Sequence, residues 1–449
     1  MMRAFLLLWS ALWTLGLPLI LAYLWKRGRK DPAYTAHLAE RFGRYRVPPN
    51  FRRKFVPGSD AAPVWVHAVS LGELRSAVPP IRALLDQGAP VVTTHFTPAG
   101  RAEAARVFAA DIAAGRLCAV WVPLETAWAY RGFFRAFQPA YGLVMEIEIW
   151  PRMVDAARAH KVPLFMCNAQ YPSRALARDS KGLRLRQAVM RGFAGALVKS
   201  ALQAQRFAGV GVRNIAVTGE LRFDQPVPPA LVAAGQAARD WIGAAQRRVI
   251  TIASAIEGED ATYLHVIHAL RADHAARGLP MPLFVYVPRR PERFNAVAQQ
   301  LAAEGLSLLR RSTLAPAFDP AAWAQAPAMP DIFFGDSLGE MYGYLAMADQ
   351  VIVGGGFNPK GAHNISEALV LGKPVITGPH THTIEYPFAE AEAAGVARAV
   401  PDAAALAAAL IANAGTDPAR IAAFTAAHSD ATAKTLAAIP QLLAAVRPS

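Results

Sequence analysis

Cysteine is nearly absent from this chain of 449 residues: Cys118 and Cys167 are the only two. That excludes a disulfide-stapled secreted fold and a four-cysteine zinc site. The pair reads as buried, reduced thiols of a protein that faces the cytoplasm. Charge is scarce too, at 18% of residues against 53% hydrophobic ones, and a chain so apolar is not disordered. Acidic side chains are the scarcer sign: 33 Asp and Glu stand against 47 Lys and Arg, for a formal net charge of +14. Such an excess implies an anionic partner, whether nucleic acid, a phosphorylated metabolite or an anionic membrane. Long apolar runs are missing but for one, which excludes a polytopic membrane protein. Missing as well are a Walker G-K-[ST], the spacing of a dinucleotide fingerprint, coiled-coil heptads and short-period repeats. No basic patch is interleaved with aromatics, so nucleic acid is not the expected partner.

The one long apolar run, Ala4 to Trp25, holds 22 residues without a charge. As a helix it spans roughly 33 Å at about 1.5 Å per residue, enough to cross the hydrocarbon core. Lys26, Arg27, Arg29 and Lys30 come directly after it and only Arg3 precedes it, so the positive-inside rule keeps the body of the chain in the cytoplasm. A cleaved signal peptide would carry its basic residues first and a shorter apolar region. The expectation is an uncleaved, single-pass anchor over 1–30, with a hydrophobic helix lying in the membrane as its rival.

Beyond the anchor, apolar runs at 64–69, 90–96, 117–124, 141–147, 162–169, 195–200 and 214–219 alternate with helical patterns. This is the signature of a parallel sheet wrapped by helices. A Pro-rich stretch near 223–232 reads as a linker. A second round comes next, with runs at 247–255, 282–288, 331–337, 350–356 and 373–379, and Ala-rich helices from Asp402 onward. The segment from Arg311 to Pro330 reads as a long surface loop. The expected fold is α/β: an anchor, a Rossmann-like domain over 31–222 and a second over 223–449, whose last helices are free to pack back on the first. Two such domains facing each other make a cleft addressed by the carboxyl ends of both sheets.

Chemistry is expected where strands hand over to helices. The first candidate runs from His67 through Ser70 and Gly72 to Glu73. Gly72 permits a tight turn, and Glu73 near a helix start either takes a proton from a substrate hydroxyl or complements the helix dipole. His67 reads as a packed support. Next, Glu146 and Glu148 lie two apart and point the same way from a strand, to bind sugar hydroxyls or to hold basic residues. Asn168, Ser173 and Arg174 form another polar tip. In the second half, Ala253 to Glu259 follows a strand and opens a helix, where free backbone N–H groups, with the Ser254 hydroxyl, suit a phosphate. Arg289 and Arg290 cluster guanidiniums that bind phosphate or carboxylate bidentately, or else form a solvated basic turn. Gly355 and Gly356 end a strand ahead of His363, Asn364 and Glu367, where Glu367 accepts from ribose hydroxyls or starts a helix. No His/Cys/Asp constellation has metal-ligand spacing, so neither metal nor cofactor is expected.

In this order, from the anchor to about residue 390, the motifs resemble those of the Kdo transferases (3-deoxy-D-manno-octulosonic acid transferases). The most specific piece is H-A-x-S-x-G-E, here His67 to Glu73. E-x-E-I-W-P comes next as Glu146 to Pro151, the proline-arginine turn as PRRPERF, and G-G-H-N-x-x-E-P as GAHNISEA. Departures are Gln170 for an Arg, Glu220 for an Asn, Ala255 and Ile256 for Thr and His, and Arg290 for a His. The resemblance implies a GT-B glycosyltransferase with CMP-Kdo as donor, a phosphorylated lipid A precursor as acceptor, inversion at the anomeric carbon, and Glu73 as general base. The acceptor side would be Glu146, Glu148, Asn168, Ser173 and Arg174. The donor side would be Ser254, Glu257, Arg289, Arg290, Gly355, Gly356, His363, Asn364 and Glu367. The body would stand on the cytoplasmic side of an inner membrane rich in anionic lipid. Two alternatives stay open: a GT-B transferase using a UDP-sugar on a membrane lipid, and a non-catalytic membrane-bound paralogue.

Overall fold

A computed structural model describes residues 2–52, 62–324, 329–412 and 415–446. The chain forms two compact units, Met1–Gln225 with Asp430–Ser449, and Pro226–Ser429.

The first unit holds β1 (Val64–His67), β2 (Val91–His95), β3 (Leu117–Trp121), β4 (Tyr141–Met145), β5 (Leu164–Ala169), β6 (Gly195–Val198) and β7 (Ile215–Val217). They form one sheet in the order β3-β2-β1-β4-β5-β6-β7, every pair parallel. Burial on both faces explains why these strands read as unbroken apolar runs. Trp65, Val92, Val144 and Met166 feed one core, while Val64, Val66, Leu143 and Phe165 feed the other. Ile439 and Leu442 of the C-terminal helix Ala431–Val446 pack into the second core, so the chain returns to its first unit. The N-terminal helix Met2–Gly28 is long and apolar enough to cross a membrane. Its Met2 and Phe5 pack against the first core.

The second unit holds β8 (Val249–Ala255), β9 (Leu283–Pro288), β10 (Leu308–Arg310), β11 (Ile332–Phe334), β12 (Gln350–Val353), β13 (Val375–Thr377) and β14 (Ala397–Ala399). They too are parallel, in the order β10-β11-β9-β8-β12-β13-β14. The edge strands β10 and β14 escape the sequence reading because each is three residues long with an arginine among them, so no unbroken apolar run marks either.

The segment from Arg311 to Pro330 is a loop between β10 and β11, as expected, with residues 325–328 outside the described ones, but buried side chains anchor it to the core. Arg311, Phe318 and Trp323 are buried, the two aromatics packing on each other, on Phe333 and, for Phe318, on Tyr344. Aromatic area of this size outweighs the turn-forming character of the intervening prolines.

Candidate active site

At the carboxyl end of β1 the chain turns into the helix Leu71–Asp86 through a reciprocal cap. Ser70 Oγ accepts from the Glu73 N–H (3.4 Å) and donates to Glu73 Oε1 (2.9 Å), while Glu73 Oε2 accepts from the Val69 N–H (2.8 Å). This resembles a capping box, with the carboxylate reaching one residue further back, to the Val69 N–H ahead of the N-cap Ser70. The carboxyl is half-buried, and desolvation pushes it up to about 7, against the hydrogen bonds from Val69 and Ser70; the charges of Glu148 and Glu146 add to the rise. A carboxylate that titrates near neutrality while staying reachable suits a general base. The capping geometry and the raised carboxyl therefore fall on the same side chain. Gly72 does not make a tight turn: it sits in the helix's first turn, and a Cβ there would meet nothing within 4 Å.

His67 is fully buried. Its Nδ1 lies 2.9 Å from Thr94 Oγ1, which also takes the Trp65 indole N–H at 2.8 Å. Burial, then the neighbouring His95, push His67 down to about 3, so it is neutral. Its ring meets Trp150 edge-on at 5.4 Å, and the Trp150 indole N–H donates to Glu148 at 2.7 Å.

The paired direction expected of Glu146 and Glu148 is corrected. β4 ends at Met145, and Glu146 adopts a left-handed φ of 57°, so strand alternation no longer applies. Glu146 instead joins a buried network. Lys199 Nζ lies 3.0 Å from Glu146 Oε2 and 2.9 Å from Glu220 Oε2, and Asn168 Nδ2 donates to Glu146 (3.0 Å) and Glu220 (2.9 Å). Burial alone would raise the Glu220 carboxyl, but Lys199 and Arg222 more than reverse it, and it is held below the usual range. Asn168 carries a left-handed φ of 55° that aims it at this cluster. Ser173 and Arg174 stand exposed at the start of the helix Ser173–Asp179, where Ser173 Oγ accepts from Arg206 at 2.7 Å. Sequence reasoning missed Lys199; its one signal is a lone cation directly after the buried run of β6.

In the second unit, a cavity of about 280 Å³ is lined by Glu257, Arg289, Arg290, Arg293, Lys360 and His363, with Ala255, Ile256, Gly361, Ala362 and Thr383. Arg289, Arg290 and Lys360, with Arg293 paired to Asp260, outnumber the one lining carboxylate and make the lining net cationic, a surface that suits an anion. Arg289 Nη1 lies 2.9 Å from Nε2 and 3.0 Å from Nδ1 of His363, which burial and then Arg289 push down to about 4. The Arg293 guanidinium is anchored by the Ala255 carbonyl at 2.9 Å and by Asp260.

Three donor-side expectations shift. The helix after β8 opens at Asp260, and the Ile256 N–H is taken by the buried Glu259 carboxylate at 3.1 Å. The same carboxylate takes the N–H groups of Gly355 (2.8 Å) and Phe357 (3.0 Å), so those donors are engaged within the protein. Gly355 has φ +90°, and a Cβ there would come within 2.4 Å of the Gly361 carbonyl. Gly356 allows equally close backbone packing, its Cβ position lying 2.4 Å from Gly378 N. These glycines and Ser254, whose φ is 61°, shape the sheet edge without lining the cavity. Asn364 Oδ1 accepts from the Ser366 N–H at 3.0 Å, a helix-start role. Glu367 sits in the first turn of the helix Ser366–Val370, where its charge, after burial, raises the Tyr342 phenol.

Two doubly wound parallel sheets, one presenting a near-neutral carboxyl and the other a cationic pocket at its carboxyl edge, are the architecture of the GT-B class. Solved structures share this fold at low identity. A glycosyltransferase from Rickettsia africae matches with TM-score 0.56 and 11% identity over 86% of this chain and 100% of its own. A putative UDP-N-acetylglucosamine 2-epimerase from Listeria monocytogenes matches with TM-score 0.55 and 15% identity over 84% and 95%. Within that class, the sequence narrows the choice. Residues 36–225 match the family model described as 3-deoxy-D-manno-octulosonic-acid transferase (kdotransferase). The 3-deoxy-D-manno-octulosonic acid transferase of Bordetella pertussis is 41% identical over 436 residues, 95% of this chain and 96% of the relative. That of Haemophilus influenzae is 29% identical over 374 residues, 81% and 80% of the two chains. The chain belongs to the 3-deoxy-D-manno-octulosonic acid transferase family.

Proposed function

We propose that the enzyme transfers Kdo from CMP-Kdo to a phosphorylated lipid A precursor with inversion at the anomeric carbon, on the cytoplasmic side of the inner membrane. The observation that carries this reading is Glu73, a half-buried carboxyl raised to about 7 and held at the carboxyl end of β1 by Ser70 and the Val69 N–H. As base it takes the proton of the acceptor hydroxyl while the oxygen attacks the anomeric carbon from the face opposite the departing CMP, and direct displacement inverts. The phosphate of CMP suits the cavity of Arg289, Arg290, Arg293 and Lys360, with Glu257 and His363 as neutral or acidic hydrogen-bonding walls. Glu146, Asn168 and Lys199 hold the neighbouring edge of the first sheet rigid for the acceptor. Incubating the enzyme with CMP-Kdo and a lipid A precursor, then weighing the lipid by mass spectrometry, tests the reading. A Kdo mass increment is expected; an increment only from UDP-sugars, or none from any donor, overturns it.

The cavity carries two smaller expected outcomes. Arg289→Ala removes one charge-assisted donor, worth about 1.5–3 kcal/mol, and should raise the KM for CMP-Kdo by roughly 10–100-fold with a smaller change in kcat. An unchanged KM would take Arg289 out of the donor site. Four side-chain cations can meet the phosphate charge without a divalent ion, so turnover should survive exhaustive EDTA treatment. Activity lost to EDTA and restored by Mg²⁺ or Mn²⁺ alone would show that the cations do not suffice.

A further inference from the structure

We infer that the N-terminal helix lies in the plane of the membrane, with one face on its own domain and the other sunk into an anionic bilayer, instead of crossing it. The inference rests on the membrane reading of this helix and replaces the single pass that hydropathy alone suggests.

The helix is apolar all round, yet its faces meet different surroundings. Leu6, Trp9, Trp13, Leu17, Ile20 and Leu24 recur every three or four residues and are fully or partly covered. Leu7, Leu8, Leu12, Leu15 and Leu19 are 55–78% exposed. The covered stripe touches the first unit near both ends. Toward the N-terminus, the Trp9 indole N–H donates to the buried Glu125 (2.9 Å), and Arg152 donates to Ser10 Oγ and to the Leu6 carbonyl (both 2.5 Å). Toward the C-terminus, Trp13, Ile20 and Leu24 border a small apolar cavity with Arg41, Phe96 and Leu124. From Leu6 to Leu24 is about 27 Å at roughly 1.5 Å per residue, close to the hydrocarbon thickness. A helix standing across the bilayer would carry Glu125, Arg152 and Asp155 into hydrocarbon, where charged groups are costly. Lying flat, it keeps them in the protein and gives lipid only the leucine face. Lys26, Arg27, Arg29 and Lys30 then sit at headgroup level, where each attracts anionic lipid.

The two orientations place the chain's ends differently. In-plane, both ends lie on the same side of the membrane; crossing, they lie on opposite sides. A Gly-Ser segment carrying one cysteine is fused ahead of Met1 or after Ser449 of the full chain, one at a time. Cys118 and Cys167 are buried and stay silent to a membrane-impermeant maleimide. Both tagged enzymes should pellet with membranes, and both thiols should label in inverted vesicles and be protected in spheroplasts. Labelling of the two tags from opposite sides overturns the in-plane helix and leaves the membrane reading standing. A chain that stays soluble as a dimer through its leucine face overturns both. The two tags labelling together, but from the periplasmic side, supports the in-plane helix and rejects the cytoplasmic placement of the body.

Discussion

Glu73→Gln is expected to lower turnover by at least about 10²-fold while leaving donor affinity nearly unchanged. Glutamine keeps an oxygen to accept from the Val69 N–H, so the helix start stays capped, but it cannot take a proton at neutral pH. The wild-type pH profile supplies an independent reading. With the carboxyl at about 7, the basic form is depleted below neutrality, so kcat/KM should fall about tenfold per pH unit below that value and level off above it. Stability runs the other way. Burial raises this carboxyl above its ordinary value, so the stabilisation from binding its proton is fully present below the ordinary carboxylate range and is lost as pH rises through about 7. The glutamine variant has no proton to lose there, and its melting temperature should fall less than that of the wild type between pH 5 and pH 8. A folded variant with near-normal turnover would remove Glu73 from the mechanism. The search would then move to Glu148, since Glu146 is bound to Lys199.

Lys199→Met should be the most destabilising single change in the first unit. Lys199 and Glu220 are both almost fully buried, and the methionine leaves Glu220 and Glu146 without their shared cation. Breaking such a pair typically costs about 3–5 kcal/mol, equivalent in a unit of this size to a melting temperature lower by roughly 10 °C. The double variant Lys199→Met with Glu220→Leu should recover part of the loss, because no fully buried carboxylate is then stranded. Since Glu220 is held below the usual carboxylate range, its contribution is fully present above that range, begins to fall within it, and is gone only as pH drops through the carboxyl's own lowered value. Unfolding curves by denaturant at pH 7 and at about pH 3, most of the way towards the lowered carboxyl value, check both points. A Lys199→Met protein that melts like the wild type would show that Arg222 alone neutralises the cluster.

How far these sites were legible depends on how local their cause is. The central strands were plain, because two-sided burial writes itself as unbroken runs such as Val64–Val66 and Leu143–Met145. The cap at Ser70 and Glu73 was half legible: the spacing S-x-x-E is local, but the upward shift of the carboxyl comes from burial and from Glu146 and Glu148 across the sheet edge. Glu259 was not legible as the residue that occupies the N–H groups of Gly355 and Phe357, about a hundred positions away in the chain.

By itself, the sequence determined the two rounds of parallel sheet, the apolar N-terminal helix, the excess of cations and the motifs that mark the family, all of which are properties of short segments or of sums over the chain. Only the tertiary structure decided that Glu146 leaves its strand to bind Lys199, that the glycine turn binds a carboxylate of the protein, and that one face of the N-terminal helix rests on the first unit. Each of these depends on which distant groups meet out of water, and a charge or an apolar face acquires its partner only when folding brings that partner within contact distance.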